Sequence, residues 1–261
     1  MIKKLGLQVY TIRSAMTDEA SIDESFKRIS EIGYSEIQTA GCPVAPEVYG
    51  ELAAKHGLDI VGTHYDWDAI LNNYDETVRI HRLWKTSNIG IGGMPGDARK
   101  DYDALMRFIE DFNRAASLYA KDGFKLTYHN HSFEFVKIHE GKTLMDLLVE
   151  NLDPATTSFV LDTCWVAHGG GDVRHWLEKL AGRIDILHLK DLVVYYNKDG
   201  KRDHTMTEIG AGNLWWDGII ETAERTGVKY YNVEQDSYFA TGDPFDSIKQ
   251  SRDYLAKYME K

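Results

Sequence analysis

The 261-residue sequence contains little cysteine. Its two cysteines, Cys42 and Cys164, lie far apart in the chain and form no Cys-x-x-Cys pair. This excludes a disulfide framework and a thiolate zinc site, because both need several suitably spaced cysteines. The low content fits a reducing cytoplasm, where we expect the protein to reside. We expect Cys164 to be a small buried residue rather than a nucleophile.

Positive charge is also scarce. The chain has 30 lysines and arginines against 41 aspartates and glutamates, which gives a formal net charge of −11. An acidic surface repels phosphate backbones, and no run of lysine and arginine offsets it, so nucleic acid is not an expected partner. A small neutral substrate feels little of this field, whereas an anionic substrate needs a local cationic pocket.

Long apolar runs are missing as well. No stretch is long enough to cross a bilayer, so we expect no membrane partner. Residues 1–5 begin directly in a strand-like pattern and lack the apolar segment of a secretory leader, which agrees with a cytoplasmic protein. Hydrophobic residues still make up 43% of the chain and charged residues 27%, so we expect a large core and no general disorder.

What the sequence does contain is a regular alternation of strand and helix patterns. Short apolar runs predict eight strands, at residues 5–10, 36–38, 58–64, 87–92, 125–131, 158–162, 184–190 and 229–234. Helical periodicity predicts eight helices, at residues 21–32, 48–56, 71–85, 101–121, 144–149, 173–180, 216–225 and 245–257. Eight such units without a linker predict a single (β/α)8 TIM barrel over residues 1–261, with an open doubly wound sheet as the alternative.

The irregular parts of this pattern are few. The fourth predicted strand is the weakest, because Gly90 and Gly92 destabilise a regular ladder. The longest irregular stretch, residues 194–214, follows the seventh strand and contains a turn at residues 197–200. Long loops after barrel strands are usually functional. A triglycine at residues 169–171 lies in another such loop, where a flexible connection is favoured over a phosphate cradle.

Polar side chains stand at the predicted carboxyl ends of most strands. These ends form the active face of a TIM barrel, whereas strand interiors are normally apolar. So many polar ends predict that the side chains converge on one site. The residues are Gln8, Gln38, His64, His129, His131, Asp162, His188, Lys190 and Glu234.

Three of these residues predict a metal site. Asp162, His188 and Glu234 supply two carboxylates and an imidazole from the sixth, seventh and eighth strands, and such groups bind a divalent metal when they converge. Oxygen-rich mixed ligands favour Mn²⁺, Mg²⁺ or Co²⁺, with Zn²⁺ still a candidate. The fourth ligand is expected from the segment around the fifth strand, where the candidates are Glu134, His129 and His131.

Several stretches resemble the xylose isomerase-like superfamily of TIM barrels. They are residues 6–11 (GLQVYT), 128–135 (YHNHSFEF), 161–165 (LDTCW), 188–191 (HLKD), 209–213 (IGAGN) and 233–236 (VEQD). That group includes sugar phosphate isomerases and epimerases, ketose 3-epimerases, inosose dehydratases and, more distantly, endonuclease IV. The resemblance implies a metal held by one residue from each of the last four strands, here Glu134, Asp162, His188 and Glu234.

The resemblance also implies a sugar or sugar phosphate isomerase or epimerase. In this chemistry a metal binds a carbonyl and a neighbouring hydroxyl, acidifies the C–H bond between them and stabilises the enediolate. Glu134 and Glu234 are then the expected acid and base. The residues expected to contact a carbohydrate substrate are Gln8, His64, Trp67, His129, His131, Trp165 and Lys190.

Three other functions stay open. A dehydratase or lyase acting on a keto-sugar or keto-inositol would use the same site, because a hydroxyl can leave from the same intermediate. A DNA-repair endonuclease is disfavoured by the acidic charge. A non-catalytic binding subunit would keep the barrel and hold no divalent ion. We expect a homodimer or homotetramer, with an interface around two exposed tryptophans, Trp215 and Trp216.

Overall fold

Eight parallel strands form one sheet that curves into a barrel. The structure, a computed structural model, describes residues 1–260. The barrel strands are β1 (Gly6–Gln8), β2 (Glu36–Ala40), β3 (Asp59–His64), β4 (Asn88–Ile91), β5 (Lys125–His129), β8 (Thr157–Asp162), β9 (Ile184–Leu189) and β12 (Tyr230–Val233). Their order around the sheet is β3-β2-β1-β12-β9-β8-β5-β4. The predicted single (β/α)8 barrel is thereby confirmed, and the doubly wound alternative is excluded.

The barrel closes between β3 and β4 without a regular ladder. A backbone bond runs from Tyr65 N to Gly90 O, with a length of 2.7 Å. Side chains add two more bonds, because Asn88 Nδ2 donates to Val61 O (2.9 Å) and Gly90 N donates to Thr63 Oγ1 (3.3 Å). Side-chain groups therefore hold the seam where ladder hydrogen bonds are missing.

Helices cover the outside of the barrel. They are α1 (Glu19–Ile32), α2 (Pro46–Lys55), α3 (Trp67–Asn72), α4 (Tyr74–Leu83), α5 (Tyr102–Tyr119), α6 (Leu144–Asn151), α7 (Thr163–His168), α8 (Val173–Lys179), α9 (Trp216–Arg225) and α10 (Pro244–Leu255). Aspartate caps begin several of them. Asp18 accepts a hydrogen bond from Ser21 N (2.9 Å) and Asp101 accepts one from Ala104 N (2.8 Å). Such caps satisfy N–H groups that have no partner within the helix.

Helix α5 shows how the helices are attached. Its buried side chains, Leu105, Phe108, Ile109 and Phe112, recur at three- and four-residue spacing and so form one apolar face. Phe108 and Phe112 both pack edge-on against Tyr128 of β5. This contact presses the helix onto the strand that carries His129 at its end.

The predicted helix 71–85 is interrupted in the structure. Asn73 has φ −123° and ψ 53°, which lies outside the helical region and separates α3 from α4. The short helix α7 is absent from the sequence prediction, because it begins directly after Asp162 with no intervening turn signal.

Two hairpins extend from the carboxyl face of the barrel. The smaller pairs β6 (Lys137–His139) with β7 (Lys142–Thr143), and the larger pairs β10 (Asp191–Tyr196) with β11 (Arg202–Thr207). The larger hairpin occupies most of the predicted irregular stretch 194–214, and its turn is the predicted one at residues 197–200. Among its strand residues only Asp191 and Thr207 are buried, so the sequence shows no clear apolar alternation there.

The two neighbouring tryptophans differ sharply in exposure. Trp215 is 59% exposed, whereas Trp216 is buried and its Nε1 donates to Asp191 Oδ2 (2.7 Å). The expectation that both are exposed is therefore wrong for Trp216, whose ring fills the core beneath the loop after β11. Assembly into a dimer or tetramer stays a prediction. Within residues 1–260, no helix combines the length and the apolar character needed to cross a membrane.

Gly90, one of the two glycines that weaken the predicted fourth strand, has a packing role. A Cβ atom on Gly90 would lie 2.3 Å from Thr63 O and 2.6 Å from Thr127 Oγ1, closer than real contacts allow. Strands β3, β4 and β5 can therefore approach one another only because this position has no side chain.

We expect Gly90→Ala to destabilise the protein by about 1–3 kcal/mol, because the added methyl overpacks the interior against backbone. The matched control is Gly96→Ala, since a Cβ atom there meets nothing within 4 Å. Urea unfolding of both variants measures the effect. Equal unfolding midpoints for the two variants would contradict this account of the barrel interior.

Candidate active site and metal centre

Four buried side chains converge at the carboxyl end of the barrel. His129 ends β5, Asp162 ends β8, His188 lies near the end of β9, and Glu234 directly follows β12. One ligand atom from each lies within 4.8 Å of the others. We call these residues the four-residue cluster. Neighbouring β8, β9 and β12 hold three of them on one rigid frame.

The spacing inside the cluster suits a metal ion. His188 Nδ1 lies 2.9 Å from Glu234 Oε2 and 3.8 Å from Asp162 Oδ2, while His129 Nε2 lies 3.6 Å from Asp162 Oδ2. Metal–ligand bonds of roughly 2.1 Å in a tetrahedral site place ligand atoms about 3.4 Å apart. The four atoms therefore stand at separations that a single divalent cation can bridge.

The two histidines present lone pairs to the centre. His129 Nδ1 donates to Gly92 O (3.1 Å), and His188 Nε2 donates to Gln38 Oε1 (2.5 Å). Because carbonyl oxygens only accept, each neutral ring keeps its proton on that outer nitrogen. The inner nitrogens, His129 Nε2 and His188 Nδ1, then face each other as acceptors across 3.2 Å. Two acceptors at this distance repel each other unless a proton or a metal ion lies between them.

The Asp162 carboxylate also directs one of its oxygens toward the cluster. Its Oδ1 accepts from Trp165 N (2.8 Å) and so caps helix α7. Its Oδ2 is buried, points toward the cluster and has no hydrogen-bond partner within residues 1–260. A buried carboxylate oxygen without a donor is costly unless a cation meets it. This donor set therefore fits a divalent metal.

Lys190 lies beside the cluster and is also buried. Its Nζ is 2.6 Å from Asp236 Oδ2, 3.3 Å from Glu234 Oε2 and 3.5 Å from Asp162 Oδ2. Burial lowers the pKa of Lys190, but these three carboxylates outweigh it and raise that pKa above its ordinary value. Lys190 thus stays charged. One ammonium among three carboxylates leaves excess negative charge, which a divalent cation would balance.

Asp236 was not singled out by the sequence reasoning, although it belongs to the quoted segment VEQD. The signal was available in the spacing, because Asp236 stands two residues after Glu234, just as Lys190 stands two residues after His188. Residues at this spacing along extended chain face the same side. Burial raises the pKa of the Asp236 carboxyl, and Lys190 opposes that rise.

Glu134 stands next to the cluster but outside it. It is fully buried in the short 3-10 turn Phe133–Phe135, where Tyr128 Oη donates to Oε1 (2.7 Å) and His131 N donates to Oε2 (2.8 Å). The cluster therefore has His129 at the position for which the resemblance implies Glu134. The ligand and acid/base roles of Glu134 stay predictions.

Two of the expected substrate residues offer buried polar atoms. His64 Nε2 and His131 Nδ1 have no partner within the described residues. Gln8 Nε2 lies 3.3 Å from His64 Nδ1 and positions that ring. Burial lowers the pKa of His64 well below its ordinary value and that of His131 to about 3, with His129 contributing to both. Both rings are therefore neutral and suited to hydrogen bonds with uncharged groups.

The two expected aromatic contacts differ. The Trp165 ring lies 4.9 Å from Lys190 Nζ and 5.4 Å from the His131 ring, so it lines the same space. Trp67 instead packs on Phe108 and Phe112, with ring centroids 5.3 Å and 5.6 Å away. The structure gives Trp67 a packing role, and its substrate contact stays a prediction.

A cavity of about 1260 Å³ opens at the opposite, amino-terminal end of the barrel. Its lining includes Lys4, Glu36 and Asp59, and Lys4 Nζ bonds Asp59 Oδ2 at 2.6 Å. Active sites of TIM barrels lie at the carboxyl end, whereas this end serves stability. The four-residue cluster, rather than this cavity, is the candidate site.

Known proteins share sequence and fold with this chain. Residues 26–258 match the family model described as xylose isomerase-like TIM barrel. Among curated proteins, the inosose dehydratase of Geobacillus thermodenitrificans is 26% identical over 172 residues, or 62% of this chain and 56% of that protein. The chain thus spans about half the length of the curated relatives it matches.

Solved structures share the fold. A sugar phosphate isomerase/epimerase from Parabacteroides distasonis superposes with a TM-score of 0.80 and 24% identity, covering 97% of this chain and 93% of that one. A probable 3-DHS dehydratase from Bacillus anthracis gives 0.73 and 15%, covering 97% and 98%. Identities this low show a common barrel and leave the reaction to the site residues.

We expect Gln38→Leu to weaken Mn²⁺ binding about 10–100-fold, because the His188 ring loses the acceptor that fixes its tautomer. Gln8→Leu is the matched control, since Gln8 contacts His64, which lies outside the cluster. Isothermal titration calorimetry of both variants measures the difference. Equal Mn²⁺ affinities for the two variants would contradict the proposed lone-pair orientation.

His129→Gln and Glu134→Gln together identify the ligand from the strand-β5 segment. The geometry predicts that His129→Gln loses bound metal while Glu134→Gln retains it. Metal content after dialysis, measured by atomic emission, checks this. His81→Gln is the control for loss of a buried histidine, because His81 bonds Thr63 Oγ1 and Thr77 O instead. The reverse result would move the metal toward Glu134.

Proposed function

Because the chain belongs to the xylose isomerase-like TIM barrel family, we propose that it is a divalent-metal-dependent enzyme acting on a keto-sugar or a related polyhydroxylated carbonyl compound. The proposed reaction is isomerisation or epimerisation through an enediolate. The observation that carries this proposal is the four-residue cluster, in which two imidazole nitrogens and two carboxylate oxygens lie within 4.8 Å of one another.

The cluster residues would hold the cation, and the mixed nitrogen and oxygen set suits Mn²⁺, Co²⁺, Mg²⁺ or Zn²⁺. When bound, such a cation supplies Lewis-acid polarisation of a substrate carbonyl and an adjacent hydroxyl. The remaining work falls to side chains of the protein. They must remove a proton from carbon, return it, and keep water away from the reacting atoms.

Two glutamates have pKa values shifted in opposite directions. Burial raises the pKa of Glu234, but the Lys190 ammonium beside it opposes burial, and that pKa lies well below the usual range. Burial raises the pKa of Glu134, against the hydrogen bonds from Tyr128 and His131. Such opposed shifts mark an acid and a base. We assign Glu234 as the base and Glu134 as the acid.

Lys190 and the neutral histidines would place the substrate. The Lys190 ammonium is held between Asp236 and the face of Trp165, so it can donate to a substrate oxygen without moving. His64 Nε2 and His131 Nδ1 are buried and unpartnered, so hydroxyl groups of the substrate are their natural partners. These contacts favour a compound rich in hydroxyl groups.

A dehydratase or lyase reaction at the same site is the second candidate. It is favoured by the curated relatives, whose printed name is inosose dehydratase. It is also favoured by Lys190, whose ammonium lies beside the cluster carboxylates and can donate a hydrogen bond to a leaving hydroxyl. Proton removal next to a carbonyl is common to both reactions.

We expect the Mn²⁺-loaded protein to exchange deuterium from D2O into carbon-bound positions of its keto substrate. NMR of a panel of ketoses and keto-inositols incubated with the protein measures this exchange. Label in intact or epimerised sugar supports isomerase or epimerase chemistry, and loss of water supports the dehydratase. Because the proposed base is removed, Glu234→Gln should lower the exchange rate by about 10²–10⁴-fold.

The control for this experiment is Glu36→Gln. Glu36 is also a buried glutamate, but it lies at the amino-terminal end of β2, away from the cluster. Its exchange rate should equal that of the wild type. A metal-replete Glu234→Gln protein with wild-type activity would overturn the assignment of the base.

A further inference from the structure

The loops at the carboxyl face hold carboxylates of the protein itself. TIM barrels that bind phosphate commonly do so with backbone N–H groups in the loops after the seventh and eighth strands. In this chain those loops follow β9 and β12. A buried N–H group needs an acceptor. An N–H group that already donates to a group of the protein is not available to bind an anion.

Asp191 fills the loop after β9. Its carboxylate is fully buried, and five donors converge on it. They are Gly210 N, Gly212 N and Trp216 Nε1 on Oδ2, and Leu192 N and Leu214 N on Oδ1, at 2.7 to 3.3 Å. Successive N–H groups of this kind form an anion cradle. A Cβ atom on Gly212 would lie 2.2 Å from Asp191 Oδ1, so the glycine is needed for the protein's own carboxylate.

Glu208 has the same role in the loop after β12. Its side chain is fully buried. Ala240 N donates to Oε2 at 2.9 Å, and Thr241 donates to Oε1 from both N (3.1 Å) and Oγ1 (2.8 Å). The pKa of Glu208 is lowered, because these hydrogen bonds outweigh its burial. The second loop therefore also holds an ionised internal carboxylate.

The N–H groups of the triglycine at residues 169–171 are also hydrogen-bonded within the protein. Its three N–H groups donate to carbonyl oxygens in the last turn of α7, namely those of Trp165, Ala167 and Val166, at 2.9 to 3.0 Å. A Cβ atom on Gly169 would lie 2.4 Å from the Phe135 ring. These glycines end a helix beneath an aromatic ring and leave no N–H group for phosphate.

The cationic side chains near the site already have partners within the protein. Lys190 already faces three carboxylates. Arg13 donates to the carbonyl oxygens of Tyr10 and Asp236, and Arg99 donates to Met94 O while lying over the Phe133 ring. Since Lys190, Arg13 and Arg99 all have partners within the protein, none of them offers a free cationic cradle to a phosphate dianion.

We infer that the substrate of this site carries no phosphate and is a neutral polyhydroxylated carbonyl compound. The inference rests on the proposed function and narrows its substrate class. Asp191 and Glu208 occupy N–H cradles in the loops after the seventh and eighth barrel strands, where TIM barrels commonly bind phosphate, and the unpartnered His64 Nε2 and His131 Nδ1 are free to hydrogen-bond hydroxyl groups. The enzyme would therefore act on free sugars or inositol derivatives.

The test compares ketoses with their terminal phosphate esters on the Mg²⁺-loaded wild-type protein. Deuterium exchange followed by NMR gives kcat/KM for each member of a pair, such as fructose with fructose 6-phosphate and xylulose with xylulose 5-phosphate. We expect the free ketose of each active pair to be preferred by at least about tenfold, equivalent to about 1.4 kcal/mol. A preference for the phosphate ester would overturn the inference.

A binding measurement tests whether the site accepts phosphate and does not depend on turnover. Glycerol 1-phosphate is titrated into the same Mg²⁺-loaded protein by calorimetry. We expect a Kd weaker than about 1 mM, and a tighter Kd would overturn the inference. If neither kind of ketose exchanges deuterium, the proposed isomerase function fails, whereas this titration still tests whether the site accepts phosphate.

Discussion

Two imidazole nitrogens and two carboxylate oxygens meet at the carboxyl end of the barrel, in a space closed off from water. The outer ring nitrogens of His129 and His188 are fixed as donors by Gly92 O and Gln38 Oε1, so the inner nitrogen of each neutral ring can only accept. Acceptors held this close repel one another unless a cation lies between them. This need for a cation explains why rigid strands hold the four residues. It also explains why Lys190 is buried beside them and why the pKa values of the two glutamates shift in opposite directions.

The carboxyl face uses negative charge for two separate purposes. Asp162, Glu234 and Asp236 turn toward the reacting space, where one ammonium only partly balances them. Asp191 and Glu208 instead accept hydrogen bonds from the N–H groups of the long loops. The internal carboxylates thus give the loops a fixed shape and also remove the cradle that a phosphate would need.

Much of this was readable from the sequence. Eight alternating patterns gave the barrel, and Asp162, His188 and Glu234 follow from polar residues at the ends of buried strands. Which residue of the fifth-strand segment would join them, His129 or Glu134, did not follow from the sequence, because the two lie five residues apart at a strand end, where periodicity stops. The β10–β11 hairpin was missed because few of its side chains are buried, and the role of Asp191 depends on donors 19 to 25 residues away in sequence.

The most direct test of the central claim is anomalous scattering from crystals of the protein grown with Mn²⁺. The account predicts one strong peak at about 2.0–2.3 Å from His129 Nε2, Asp162 Oδ2, His188 Nδ1 and Glu234 Oε2. A protein that binds Mn²⁺ elsewhere, or that leaves the centre of these four residues without an ion at saturating Mn²⁺, would contradict it.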